Sequence, residues 1–141
     1  MLGACMMFGM LTVCTIEDLK YRKVYIIPVI LCGLAGMILH LFCREISIYN
    51  ILAGMLIGLM MLLLGKLSGG AIGTGDGLVL VVTGIFLGGW KNLSLLLLAL
   101  IFSAVLSLFL LFIRKKKKTD SIPFIPCLLL AYLVVFLLCT V

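Results

Sequence analysis

Ser68-Gly69-Gly70-Ala71-Ile72-Gly73-Thr74-Gly75-Asp76-Gly77 interrupts long apolar runs on either side. The stretch is rich in glycine and contains Asp76, one of only five acidic residues in 141. Glycine breaks regular helix and permits close backbone approach. At membrane depth, irregular backbone survives only where protein buries it or where it lines a wet cavity. The arrangement of the apolar runs around this stretch therefore decides the fold. Working outward, a second acidic residue, Asp18, ends the first apolar run.

The chain is 65% hydrophobic and 11% charged, with a mean hydropathy of +1.43. Soluble domains are about half apolar and about a quarter charged. The excess predicts an all-α polytopic membrane protein with lipid as its outer solvent. The length predicts a single membrane-embedded domain over residues 1–141. No cleavable signal peptide is expected, because nothing basic precedes Lys20. Leu11-Thr12-Val13-Cys14 is only faintly similar to a lipoprotein cleavage site, since Val13 is larger than the residue needed before the cysteine.

Six apolar runs are read along the chain: Met1–Ile16, Val24–Phe42, Ile46–Gly65, Gly77–Trp90, Leu93–Ile113 and Ile122–Val141. A span needs about 20 apolar residues. The first run is slightly short, and Glu17 and Asp18 extend it into the interface. Pro28 stands in the first turns of the second, where a missing N–H costs least. The third carries Gly54-Met55-Leu56-Ile57-Gly58, a G-x-x-x-G pattern that fits self-association and packing within the bundle equally well. The fourth, the shortest, must tilt little, start inside the bundle or draw on the glycine stretch. Gly88-Gly89-Trp90-Lys91-Asn92 ends it, with Trp90 as an interfacial aromatic. The fifth has no charge over its whole length and is the clearest span.

Six spans place Lys20, Arg22, Lys23, Lys66, Arg114 and Lys115 to Lys118 on one side, nine of the eleven basic residues. Arg44 and Lys91 fall on the other. The positive-inside rule then predicts both termini outside and three basic loops in the cytoplasm. The location expected is a cell membrane, plasma or inner, crossed several times. The net charge of +6 is therefore an orientation signal. It is not a nucleic-acid footprint, which needs a broad basic surface with aromatics. The lysine run can also meet anionic lipid headgroups.

Cys5, Cys14, Cys32, Cys43, Cys127 and Cys139 lie in or at the ends of apolar runs without a C-x-x-C pair. Small buried apolar residues are expected here, not a disulfide framework or a zinc site. His40, alone near the end of the second run, reads as an interfacial histidine. No metal and no cofactor are expected.

Under this topology Asp18 ends the first helix and Asp76 starts the fourth, both at the cytoplasmic face. Two carboxylates in contact cannot both ionise easily, so the pair shares a proton. That is what an aspartic protease needs. The charged member takes a proton from water, and the protonated member polarises the scissile carbonyl and protonates the leaving amine. Gly73, Gly75 and Gly77 remove side chains beside Asp76, so that an extended substrate backbone can approach. Chemistry alone leaves other readings open. Asp76 can be a helix cap, and Asp18 an interfacial charge paired with a cation. Glu17 competes with Asp18, though it points about 100° away on a helix. A phosphate cradle is excluded, because no Gly-Lys-Ser/Thr follows the glycines.

At these residues the chain resembles the type IV prepilin peptidases, within the GxGD membrane aspartyl proteases. Gly73-Thr74-Gly75-Asp76 is similar to the GxGD signature, with Asp76 as its aspartate. Asp18-Leu19-Lys20-Tyr21-Arg22-Lys23 resembles the segment that begins with the family's first aspartate. Ile122-Pro123-Phe124-Ile125-Pro126 resembles the Pro-Phe-x-Pro opening of the last helix. The resemblance runs through essentially the whole chain. It implies catalytic Asp18 and Asp76 and a prepilin or pilin-like precursor as substrate, whose short basic leader is removed at the cytoplasmic membrane face. It departs where many members carry Ile-Pro-Asn, a stretch that is Val24-Tyr25-Ile26 here. It departs again at Leu78, where members often carry Lys. The methyltransferase segment of bifunctional members finds no room, so a short peptidase-only form without a methyl donor is expected.

The alternative is a non-enzymatic membrane protein, a small transporter or an assembly subunit, with Asp76 in a broken helix. Against it, there is no internal repeat and no second interrupted helix, and the ionisable residues gather at one face. A protease that cuts within transmembrane helices is a further alternative, but its first aspartate lies deep in a helix. Asp18 instead stands among charged neighbours at a helix end.

Overall fold

A computed structural model describes residues 2–21, 24–43, 46–68, 73–114 and 124–140. Among them the chain is all-helical: α1 (Leu2–Tyr21), α2 (Ile26–Cys43), α3 (Ile48–Leu67), α4 (Thr74–Arg114) and α5 (Ile125–Thr140). Among the described residues two helices are long and apolar enough to cross a membrane, Ile48–Leu67 and Thr74–Leu110. Lys115 to Lys118, Pro123 and Gly69 to Ile72 lie outside the described residues, as do Arg22 and Lys23.

The fourth and fifth apolar runs fall within α4, yet α4 is not one rod. Gly88 has φ 75° and ψ −179°, a conformation essentially confined to glycine. On a straight helix Leu80 and Asn92 would stand about 18 Å apart. Here the Asn92 Nδ2 donates to the Leu80 carbonyl at 3.1 Å. The chain therefore folds back at Gly88 into a first arm, Thr74 to Leu87, and a second arm, Gly89 to Arg114. The fourth run draws on the glycine stretch for its length, since α4 begins at Thr74.

Asn92 locks this reversal. It is fully buried, and both its N–H groups and its oxygen are bonded. Thr83 Oγ1 donates to its Oδ1 at 2.8 Å, and its Nδ2 reaches the carbonyls of Gly54, at 3.0 Å, and Leu80. Asn50 Oδ1 accepts the Gly89 N–H at 2.9 Å. In apolar surroundings a buried amide must be satisfied in this way, because each unpaired group costs about 1–3 kcal/mol.

α3 and the first arm of α4 are antiparallel and packed backbone to backbone. A Cβ on Gly54 would strike the Gly84 carbonyl, and one on Gly58 would strike the Val81 amide. The G-x-x-x-G pattern is thus used inside the bundle. α2 runs alongside the same arm, with Gly33 beside Val82 and Gly36 beside the Phe86 ring. α1 and α5 pack against each other, where Tyr132 Oη donates to the Ala4 carbonyl at 3.1 Å. Met7, Leu11 and Cys14 recur at helical spacing on α1 and meet Leu80, Leu95, Leu128 and Tyr132 in the core.

These contacts sort the helix ends. Glu17, Asp18, Val24, Asp76 and Ile125 gather at one end of the bundle. Gly3, Gly36, Phe86, Asn50 and Gly88 gather at the other. The side chains of Cys43 and Cys139 lie outside those described, and among the other four cysteines one departs from the expectation of burial. Cys14 and Cys127 are buried and Cys32 is half-buried, but Cys5 is exposed on the outer face of α1. That face is apolar, where a small, weakly polar thiol costs little.

Candidate functional site

The end that gathers Asp18 and Asp76 is built by three stretches of chain. The last turns of α1 carry Glu17 and Asp18. The first turn of α4 carries Asp76, whose N–H bonds back to the Gly73 carbonyl at 3.1 Å. The start of α5 supplies the Ile125 N–H, which donates to Asp18 Oδ2 at 3.4 Å. Pro126 contributes no N–H, so Ile125 is among the few amides this helix end can offer.

Asp18 lies close enough for its charge to act on Asp76. Both side chains are half-buried. Two carboxylates that act on each other's charge do not ionise independently. The first turn of a helix also favours a carboxylate, as at a cap. Asp76 therefore has a local reason to sit where it does, and the pairing with Asp18 is an addition to it.

The three glycines occupy different surroundings. Gly73 is exposed, and a Cβ there would come within 2.9 Å of Asp76 Oδ2. A Cβ on Gly75 would come within 2.8 Å of Val24 Cγ2. Gly77 is buried, and its Cβ position lies 2.7 Å from Leu62 Cγ and 2.9 Å from the Leu62 amide. Packing against α3 and the α1–α2 connection thus accounts for the small size of Gly77 and Gly75. Gly73 is the one whose missing Cβ leaves the carboxylate itself uncovered.

Glu17 does not face Asp76. Its Oε2 accepts the Tyr25 N–H at 3.2 Å, so the neighbouring carboxylates serve different helices. Cys14, one turn before Asp18 on α1, and Cys127, in the first turn of α5, are each close enough to feel its charge. His40 is half-buried near the end of α2, away from this site. Among the described residues no three His, Cys, Asp or Glu side chains gather as a metal ion would need.

Sequence reading missed the roles of Asn92, Thr83 and Asn50. Their signal was present, since polar residues within apolar runs are costly and need a reason. It also missed Val24 and the Ile125 amide, which no pattern announces. No protein-family model, curated protein or solved structure matches the chain.

Proposed function

We propose that the chain is a membrane aspartyl endopeptidase of the type IV prepilin peptidase kind. It removes the short basic leader of a prepilin or pilin-like precursor at the cytoplasmic face of the cell membrane. The observation that carries this reading is the placement of Asp18 and Asp76 at one end of an apolar bundle, near enough for the charge of one to act on the other, beside the exposed Gly73. In this mechanism one carboxylate takes a proton from water, which attacks the scissile carbonyl. The other donates its proton to that carbonyl and then to the leaving amine. The exposed Gly73 leaves room for the extended backbone of the precursor at Asp76.

The membrane arrangement proposed is six spans with both termini outside. Its support is the reversal at Gly88, which turns α4 into two arms of opposite direction. Large side chains such as Ile27, Leu34, Leu56, Leu63, Ile101 and Phe109 are exposed. A water-soluble surface does not carry apolar area on that scale. Exposed aromatics stand at both ends, Tyr21 and Tyr25 near the aspartates and Tyr49 and Trp90 opposite, as membrane interfaces favour.

The test is leader removal by the purified chain in lipid, with a prepilin-type precursor. Asp18→Asn and Asp76→Asn should each abolish cleavage while the protein still folds and inserts. Cleavage that survives either change removes the two-carboxylate mechanism. Absence of cleavage by the native chain on every leader tried favours the transporter or assembly-subunit reading.

A further inference from the structure

We propose that Glu17 is a positioning residue for the Asp18–Asp76 pair, acting as a hydrogen-bond acceptor that fixes the α1–α2 connection against the start of α4. Only the activity arm of its test rests on the protease reading. The geometry stands without it.

Glu17 and Asp18 are neighbours in the last turns of α1 and point about 100° apart. Asp18 turns toward α5 and accepts the Ile125 N–H. Glu17 turns toward α2 and accepts the Tyr25 N–H at 3.2 Å. Tyr25 immediately precedes α2, so its amide has no partner within that helix. The bond fixes the chain next to Val24. The Val24 side chain in turn fills the space that a Cβ on Gly75 would occupy, with Cγ2 at 2.8 Å. Gly75 precedes Asp76, and Asp76 feels the charge of Asp18. The contacts run from Glu17 through Tyr25 and Val24 to Gly75, the residue before Asp76. Glu17 is also the chain neighbour of Asp18, so one connection is tied to the chain beside each carboxylate.

The role needs an acceptor, not a charge. A glutamine carbonyl oxygen accepts the same N–H, whereas an alanine leaves the amide and Val24 unanchored. Glu17 takes no proton in the reaction and touches no substrate.

The test measures the geometry directly. In a full-length chain with its native cysteines replaced and reconstituted in lipid, Asp18→Cys and Asp76→Cys are introduced together. The rate of disulfide formation is followed with Glu17 kept, with Glu17→Gln and with Glu17→Ala. Glu17→Gln should cross-link at the native rate, and Glu17→Ala about threefold to tenfold more slowly, the loss of one net hydrogen bond. Gly75→Ala should slow cross-linking similarly by displacing Val24, and adding Val24→Ala should restore it. Equal rates in all chains overturn the proposal, as does Glu17→Gln behaving like Glu17→Ala. So does the absence of any cross-link, since the pair would then not be adjacent. With both aspartates restored, Glu17→Ala should lower kcat for leader removal, leave KM and the pH profile unmoved, and be rescued by Glu17→Gln. Cross-linking that follows the expected order in a chain that cleaves no leader keeps the positioning role and removes only the protease reading.

Discussion

The carboxylate of Asp18 accepts the backbone N–H of Ile125, 107 residues away in sequence, at 3.4 Å. The contact joins the end of α1 to the start of α5 and stands the two helices beside the first turn of α4. An aspartate that would otherwise be an interfacial charge is thereby anchored to the start of α5, at the end of the bundle that also carries Asp76.

If the pair is catalytic, losing either carboxylate removes general acid–base help worth about 100-fold to 10,000-fold. Asp18→Asn and Asp76→Asn should each lower kcat for leader removal by at least about 100-fold. Asparagine keeps the size of the side chain, so the thermal unfolding midpoint in detergent should change much less than activity. A midpoint that collapses with activity assigns the loss to folding.

The pH dependence follows from the sharing of one proton. Below the titration of the pair both carboxylates are protonated and no base remains. Above it both are ionised and no acid remains. Cleavage against pH should be bell-shaped. A profile that rises to a plateau without a descending limb contradicts a shared proton.

Asn92→Ala should destabilise the bundle by about 2–3 kcal/mol, because three buried hydrogen bonds, to the Gly54 and Leu80 carbonyls and from the Thr83 hydroxyl, are lost together. Denaturant titration in detergent measures it. Asn92 lies at the opposite end from the aspartates, so activity per folded molecule should be retained. A stability loss below about 0.5 kcal/mol would mean that the reversal of α4 does not depend on this amide.

Gly88→Ala should cost about 1–3 kcal/mol, since its φ of 75° with extended ψ suits glycine alone. Its Cβ would also meet Asn50 Nδ2 at 2.8 Å. Gly54→Leu should be worse, because the obstacle is the Gly84 backbone and no side chain can move aside. Both are read by thermal unfolding and by the amount of folded protein recovered from membranes.

The sequence by itself determined the helical class and the rough extent of each helix, because apolar runs in lipid must satisfy their backbone internally. It also singled out Asp18 and Asp76, since charge is scarce in this chain. The glycine stretch was legible as a break, and the closing Gly-Gly-Trp-Lys-Asn as another. Only the tertiary structure decided what those breaks do. Gly88 turns α4 back on itself within a single residue, where a loop was expected, because Asn92 and Asn50 satisfy the polar groups of so tight a reversal. Gly75 and Gly77 serve helix packing, and Glu17 parts from Asp18 to hold the α1–α2 connection. These assignments depend on which helices are neighbours. Spacing along one chain carries helix periodicity, but the partner of a buried polar atom or of a missing Cβ is set by segments far away in sequence.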